Sequence, residues 1–305
     1  MREIKNGVYP TMLTPFTADN RIDYDGVLSL LGWYEQNGVD GIFAICQSSE
    51  IFFLSFEERL ELLKFIMKNL PEGMSIVASG HTADDIDRQI YEAQAFADTG
   101  IDAYVFIANR FAQADEGDDV FLRNYEKAAK ALPGMPFGVY ECPYPYKRLM
   151  TPELIRSCSR IGPLAFIKDT CCRTEDIIEK QKAASECGLK IFNANGATLL
   201  ETLKAGCAGY SGVMANFHPD LYKELCVCFK DEPERAQLIS DFLSFASTIE
   251  LQQYPVNAKY HLQQLGVIKE IYSRARDCSL FTDANKKEIR AMISIENHFR
   301  NALNI

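Results

Sequence analysis

Short apolar runs alternate with longer stretches in which apolar residues recur every three or four positions, as far as about residue 216. The short runs are typical of buried strands, and the longer stretches are typical of amphipathic helices. The pattern predicts strands at 8–16, 41–48, 75–81, 103–109, 136–143, 164–170, 190–196 and 209–216. Strict alternation favours a parallel sheet, and eight repeats predict that the sheet closes into a (β/α)₈ TIM barrel.

The segments between the strands carry helix-start signals. Ser55 precedes an apolar-periodic run with Glu58 three residues later, and Thr151-Pro152 opens another. From Pro219 onward the pattern is helical, without further strands. We therefore predict a catalytic barrel at 1–218 and a C-terminal helical extension at 219–305, joined as one compact unit.

Composition narrows the class of partner. The 305 residues are 47% hydrophobic and 24% charged, with a formal charge of −10 and no basic cluster. This balance argues against nucleic acid and against an anionic membrane as partners. No apolar run is long enough for a membrane helix, and the first residues show no signal-peptide pattern. We expect a cytoplasmic protein that acts on small molecules.

Ten cysteines raise the question of a disulfide framework or a metal site, but their spacing fits neither. Cys171 and Cys172 are adjacent, no C-x-x-C occurs, and none of the four histidines is spaced against a cysteine pair. The sequence therefore predicts free thiols and no metal.

Candidate chemistry comes from two strand ends. Lys168 closes the apolar run 164–167, and an ammonium among apolar neighbours has a lowered pKa, which makes the amine available as a nucleophile. The alternative is a lysine whose head reaches solvent at a strand end. Tyr140 comes directly after the preceding apolar run, 136–139, in the fifth predicted strand. Because parallel strands end at one rim, a phenol and an amine are expected side by side.

Several motifs in order resemble one enzyme family. They are the opening run 8–16, the segment Tyr140-Glu141-Cys142-Pro143, the lysine 28 residues after that tyrosine, and the run 254–259 in the tail. Together they are similar to the dihydrodipicolinate synthase / N-acetylneuraminate lyase family. The resemblance implies a lyase in which Lys168 forms a Schiff base with pyruvate or another 2-oxo acid, while Tyr140 shuttles protons. It also implies a homotetramer and no cofactor beyond the covalent imine.

The resemblance places the substrate carboxylate at the end of the second strand. Where the family has Gly-Thr-Thr-Gly-Glu, this chain has Cys46-Gln47-Ser48-Ser49-Glu50. The two serines are expected to hold the carboxylate. Gln47 stands where a threonine normally passes protons from the catalytic tyrosine, and Phe111 aligns with a second tyrosine of that relay. Two relay hydroxyls are thus missing.

The positions that set substrate choice in the family also differ. Its lysine-pathway synthases carry an arginine where this chain has Pro145, with Arg148 nearby, and its sialic-acid lyases carry an acidic pair where this chain has Asn195 and Gly196. We expect Asn195 and Ser211 to contact substrate, although Asn195 equally suits the cap of the next helix.

The resemblance thus implies aldol cleavage or condensation with a small aldehyde, of the sugar-acid type. One alternative is a 4-hydroxy-tetrahydrodipicolinate synthase in which Arg148 replaces the missing guanidinium. An alternative of another class is a catalytically silent relative that binds a 2-oxo acid.

Other rim residues have structural interpretations. His81 suits a contact with substrate or with loop backbone, and Glu50 suits a helix start. Phe52 and Phe53 are interpreted as core or subunit-contact residues.

Overall fold

The computed structural model describes residues 2–305 and contains eight parallel strands in one sheet. They are β1 (Gly7–Val8), β2 (Gly41–Ala44), β3 (Ser75–Ala78), β4 (Ala103–Ile107), β5 (Phe137–Tyr140), β6 (Leu164–Asp169), β7 (Lys190–Asn193) and β8 (Gly209–Tyr210), in the order β1-β8-β7-β6-β5-β4-β3-β2.

The main helices are α1 (Tyr24–Gln36), α2 (Phe56–Asn69), α3 (Ile86–Ala97), α4 (Asp118–Ala131), α5 (Pro152–Ile161), α6 (Thr174–Cys187), α7 (Leu199–Lys204), α8 (Pro219–Cys228), α9 (Pro233–Ala246), α10 (Val256–Gln264) and α11 (Asp283–Leu303). One helix follows each strand through α8, and α9, α10 and α11 form the extension. The predicted boundary after residue 218 falls at the start of α8, which completes the eighth unit.

The two ends of the sheet meet, so the barrel closes. Just beyond β1, Met12 N–H donates to Phe43 O at 2.9 Å, and Phe43 N–H donates to Pro10 O at 3.0 Å. Where β1 pairs with β8, Gly7 lies opposite Gly209, and a Cβ on Gly209 would fall 1.8 Å from Gly7 O. Only glycine fits this approach. The predicted TIM barrel is confirmed.

Most strands are shorter than predicted, and the difference lies at their carboxyl ends. The apolar runs continue, but the backbone turns into short 3₁₀ helices at Gln47–Ser49, Ala108–Arg110 and Val213–Asn216. Ile45, between β2 and the first of these, has a φ of 48°. A β-branched residue in this region is strained, and such strain concentrates at functional sites.

Aromatic rings fill the barrel interior beneath these turns. Tyr9 and Phe166 each pack against Phe192, with centroids 4.6 and 4.7 Å from its ring, and Phe43 lies 6.0 Å from Phe166. This apolar layer forms the floor of any site at the carboxyl rim. In residues 2–305, no helix is long and apolar enough to cross a membrane.

Candidate active site

Lys168 and Tyr140 lie side by side on the inner face of the barrel. They are paired in register between β5 and β6, and each ends its run of inward-facing residues. Lys168 Nζ lies 4.1 Å from the centroid of the Tyr140 ring and 5.9 Å from that of Phe43. The relative exposures are 4% for Lys168 and 3% for Tyr140. The predicted pair of amine and phenol is therefore present in the geometry.

Lys168 is buried without a counter-ion. Two other buried lysines, Lys180 and Lys259, are each paired with a carboxylate, whereas no carboxylate in residues 2–305 forms an ion pair with Lys168. Burial lowers the pKa of Lys168, and Cys46, Cys142 and the carboxylate of Glu250, which forms no ion pair with Lys168, only partly offset this. The neutral amine required for attack on a carbonyl is therefore favoured.

Tyr140 is oriented by Gln47. The phenol donates a hydrogen bond to Gln47 Oε1 at 2.9 Å, and the Cys142 thiol donates to the same oxygen at 3.6 Å. Burial raises the pKa of Tyr140 well above its ordinary value, so the phenol keeps its proton. An amide oxygen holds the hydroxyl in place, but it has no hydroxyl proton to pass on.

The two serines predicted to hold a carboxylate have different surroundings. Ser48 lines the cavity, and its hydroxyl donates to Thr11 Oγ1 at 3.0 Å. The Ser49 hydroxyl donates to Met12 O at 2.6 Å and accepts from Cys46 N–H at 3.1 Å. Ser49 therefore shapes the turn, while Ser48 remains available to a ligand.

A cavity of about 380 Å³ opens from Lys168 and Tyr140 toward solvent. This volume is typical of small-molecule sites. Its wall is largely aromatic and apolar, with a few polar groups. The other lining residues are Gln47, Ser48, Glu50, Phe52, Phe53, Tyr144, Val213, Tyr254, Pro255, Ala275 and Arg276. Phe52 and Phe53 thus lie at the site rather than only in the core.

Glu50 anchors one side of the mouth. Its carboxylate pairs with Lys259 Nζ at 2.6 Å and accepts hydrogen bonds from Ser273 Oγ and from the backbone N–H groups of Arg274 and Ala275, at 2.9, 2.6 and 2.8 Å. The carboxylate is therefore fully engaged in holding the segment after α10 against the rim. This is a larger role than that of a helix-start carboxylate.

On the opposite face of the same two strands lies a buried ion cluster. Glu141 and Asp169 follow Tyr140 and Lys168, so their side chains point outward toward α6. There Lys180 Nζ pairs with Glu141 Oε1 at 2.6 Å and with Asp169 Oδ2 at 2.5 Å. The Glu141 carboxylate also accepts from the N–H groups of Met150 and Thr170, both at 2.8 Å. The cluster ties β5, β6 and α6 together behind the site.

Two other residues predicted to bind substrate lie outside the cavity lining. Asn195 Oδ1 accepts from Thr198 N–H at 3.1 Å, so its side chain closes the turn that leads into α7, whose own N-cap is Thr198. Ser211 is fully buried, and its hydroxyl has no partner within residues 2–305. His81 also has a structural environment, because Ile107 N–H donates to its Nε2 and Tyr104 OH contacts its Nδ1, both at 3.1 Å.

Arg148 and Phe111 also make contacts outside the cavity. Arg148 Nη1 pairs with Asp118 at 3.0 Å, and its Nη2 donates to Gln113 O at 3.1 Å. The Phe111 ring packs 4.8 Å from Phe106 and is fully buried. Neither residue lines the cavity.

Sequence reasoning missed Tyr254 and Arg276 as site residues. Tyr254 is the first residue of the tail motif 254–259, and its place in a motif shared with the family could have indicated that it lies at the site. Its hydroxyl accepts from Asn216 Nδ2 at 3.3 Å. Arg276 lies in an irregular segment where no periodicity indicates a direction.

The His, Cys, Asp and Glu side chains are the groups that a metal site would need. Within residues 2–305, no group of three or more His, Cys, Asp and Glu side chains is arranged to hold a metal ion. All ten cysteines are free, and five of them are buried.

A (β/α)₈ barrel with an unpaired buried amine beside a phenol at its carboxyl rim has the features of a Schiff-base-forming class I aldolase. Residues 5–295 match the dihydrodipicolinate synthetase family, and the chain therefore belongs to that family of class I aldolases.

Named relatives agree with this assignment. The 4-hydroxy-tetrahydrodipicolinate synthase of Saccharophagus degradans is 25% identical over 267 residues, covering 86% of this chain and 89% of that protein. YagE, a prophage protein of the dihydrodipicolinic acid synthase family from E. coli K12 solved in complex with pyruvate, superposes with a TM-score of 0.87 at 19% identity, covering 95% of this chain and 98% of that one. The chloride-inhibited dihydrodipicolinate synthase of Acinetobacter baumannii, also solved with pyruvate, gives a TM-score of 0.85 at 20% identity and the same coverage.

Proposed function

We propose that Lys168 is the nucleophile that forms the Schiff base, and that the 2-oxo acid is pyruvate. The neutral amine adds to the ketone carbon, the carbonyl oxygen leaves as water, and a protonated imine remains. Loss of a methyl proton then gives an enamine, because the imine nitrogen accepts the electron pair. The enamine carbon adds to an aldehyde, whose oxygen takes up a proton, and water releases the product from Lys168. Cleavage is the reverse sequence.

The single observation that carries this proposal is the state of Lys168. Its ammonium is buried on an aromatic floor without a carboxylate partner, in direct contact with the Tyr140 ring. A lysine that only had to stabilise the fold would gain from a counter-ion, as Lys180 does. Tyr140 is the group placed to move protons at the imine, and Ser48 is the hydroxyl placed to hold the carboxylate.

The aldehyde partner differs from that of a lysine-pathway synthase in this proposal. The curated relatives carry that synthase name, but here position 145 is proline, and Arg148 is held by Asp118 and Gln113. A small aldehyde, with a substrate of the sugar-acid type, remains our proposal, although Asn195, at one of the positions used by sialic-acid lyases, is engaged by Thr198 in the turn before α7. We further propose a cytoplasmic location and a homotetramer, as the family resemblance implies.

The same site argues against the alternative of a catalytically silent relative that only binds a 2-oxo acid. Binding alone requires no unpaired buried amine, and such a group costs stability unless it has a chemical use. The missing relay hydroxyls at Gln47 and Phe111 are its support, but Tyr140 still has a hydrogen-bond partner.

The test is reductive trapping. Incubation of the wild-type protein with pyruvate and borohydride should add one pyruvate-derived group to the protein, and peptide mapping should place it on Lys168. Incubation with borohydride alone is the control. No adduct, or an adduct on another lysine, would overturn the proposal.

A further inference from the structure

The mouth of the active-site cavity carries a cation that no protein group neutralises. Arg276 lines the cavity and is exposed, and no side chain within residues 2–305 forms an ion pair or hydrogen bond with its guanidinium. Most other arginines near this rim are engaged: Arg274 with Glu58, Arg110 with Asp84 and Arg148 with Asp118. Arg276 is therefore the guanidinium at the site that is free to meet a ligand.

The backbone of Arg276 is held in place even though its side chain is free. Its N–H donates to Ser273 Oγ at 3.1 Å, and the preceding residue, Ala275, is held by Glu50 at 2.8 Å. The carboxylate of Glu50 is itself occupied by Lys259 and does not compensate Arg276. A guanidinium presented from an anchored segment loses less conformational freedom when it binds an anion than one on a mobile loop.

The charges and surfaces of the cavity indicate what Arg276 would bind. Lys168 and Arg276 are the two cationic residues that line it, and in the proposed function Lys168 is consumed by the imine. One guanidinium matches one carboxylate in bidentate geometry, whereas a phosphate monoester carries nearly twice that charge. The rings of Phe52, Phe53 and Tyr144 supply an apolar wall to the same cavity.

We infer that Arg276 is a specificity-determining residue that binds a carboxylate on the aldehyde partner, at the end remote from the reacting carbonyl. The substrate class is therefore an aldehyde acid, with its carbon chain against the aromatic wall. The inference rests on the proposed function and names the second substrate of that same site.

The experiment compares matched aldehydes at saturating pyruvate. Glyoxylate, succinic semialdehyde, glutaric semialdehyde and aspartate semialdehyde represent the acids, and neutral aldehydes of the same chain lengths are their partners. For the best length, the acid should have a kcat/KM at least about tenfold above its neutral partner, because hydrogen bonds between charged groups are stronger than those between neutral groups. Arg276→Gln should reduce that preference to about one by lowering kcat/KM for the acid, and Arg276→Lys should restore part of it.

Two measurements distinguish the ways in which this inference can fail. Pyruvate should be trapped at Lys168 in the wild type and in Arg160→Gln, an equal charge change at an exposed position outside the cavity, and Arg160→Gln should keep the preference for acids. Trapping without any preference for acids, or a preference that survives Arg276→Gln, would overturn the inference and leave the proposed function standing. If no pyruvate is trapped, the proposed function fails. In that case the inference is tested by calorimetry, which measures the binding of glutarate to the wild type and to Arg276→Gln. Weaker binding to the variant would support the inference, and equal binding would overturn it.

Discussion

Two buried lysines on opposite faces of the barrel wall have opposite chemistry. Lys168 faces inward among aromatic rings, and burial lowers its pKa. Lys180 reaches the outer face of the same two strands; burial also acts to lower its pKa, but Glu141 and Asp169 outweigh burial and raise it. Both residues are almost fully buried. Burial alone therefore does not make a lysine reactive.

The difference arises from the pleat of the strands. Tyr140 and Glu141 are consecutive, as are Lys168 and Asp169, and consecutive side chains point to opposite faces. Both carboxylates are thereby kept away from the inner amine and directed at Lys180. The same four residues that place a phenol and an amine inside also place the two acids outside, where they hold α6 against the sheet.

The largest expected effect separates the two lysines. Lys168→Met should abolish pyruvate trapping. It should leave the free energy of unfolding within about 1 kcal/mol of the wild type or raise it, because a buried amine without a counter-ion is replaced by an apolar chain. Lys180→Met should lower the free energy of unfolding by on the order of 3–5 kcal/mol, because two buried carboxylates lose their counter-ion. Trapping should persist in Lys180→Met at temperatures where it remains folded.

Urea denaturation and borohydride trapping measure the two sides of this comparison on the same samples. If Lys168→Met unfolds the protein, then Lys168 also stabilises the fold. If folded Lys180→Met no longer traps pyruvate, then Lys180 also contributes to the reaction. Either result would contradict the division between a reactive inner lysine and a structural outer one.

A smaller effect is expected within the inner face. Tyr140→Phe removes one hydroxyl and little volume, so the fold should persist while proton transfer at the imine slows by a factor on the order of 10². The measurement is exchange of the pyruvate methyl protons in D₂O, followed by NMR, which needs no aldehyde partner. Tyr91→Phe, which removes an exposed hydroxyl on α3, is the matched control. Exchange within about twofold of wild type would make Tyr140 structural.

The sequence was sufficient for the parts of this molecule that depend on periodicity. Eight apolar runs predicted eight strands, and the end of the fifth and sixth runs predicted the positions of Tyr140 and Lys168. The resemblance to a family added the expected chemistry. Where each strand ends was not predictable in the same way, because the apolar runs continue into turns such as the one at Ile45, whose backbone conformation is determined by tertiary contacts.

The mouth of the site and the outer ion cluster depend on contacts between residues far apart in the chain. Glu50 meets Lys259, and Arg276 reaches the rim from an irregular segment, so no local pattern indicates either. The partners of Lys180 could not be predicted from the sequence pattern either. Glu141 and Asp169 come directly after Tyr140 and Lys168 in the sequence, but nothing in the helical pattern of α6 distinguishes Lys180 from a solvated lysine.

The smallest predicted effect concerns the pH dependence of the outer cluster. Burial, together with Asp169, raises the pKa of Glu141 from 4.5 to about 7. The native state therefore holds a proton that the unfolded chain has released between pH 4.5 and 7, so stability contributed by this group is present below pH 4.5 and is lost as the pH rises through about 7. Glu141→Gln cannot ionise and should flatten the stability profile across this window.

The measurement is urea unfolding at the two ends of that window. At the upper end, the variant should equal or exceed the wild type, because Lys180 and Asp169 then balance each other and the amide oxygen still accepts from Met150 N–H or Lys180. From the upper to the lower end, the wild type should gain on the order of 1–3 kcal/mol of stability relative to the variant. Glu35→Gln, the same change at an exposed position on α1, should leave the slope unaltered. A Glu141→Gln profile parallel to the wild type would show that Glu141 stays ionised throughout, and that Lys180 compensates both carboxylates at once.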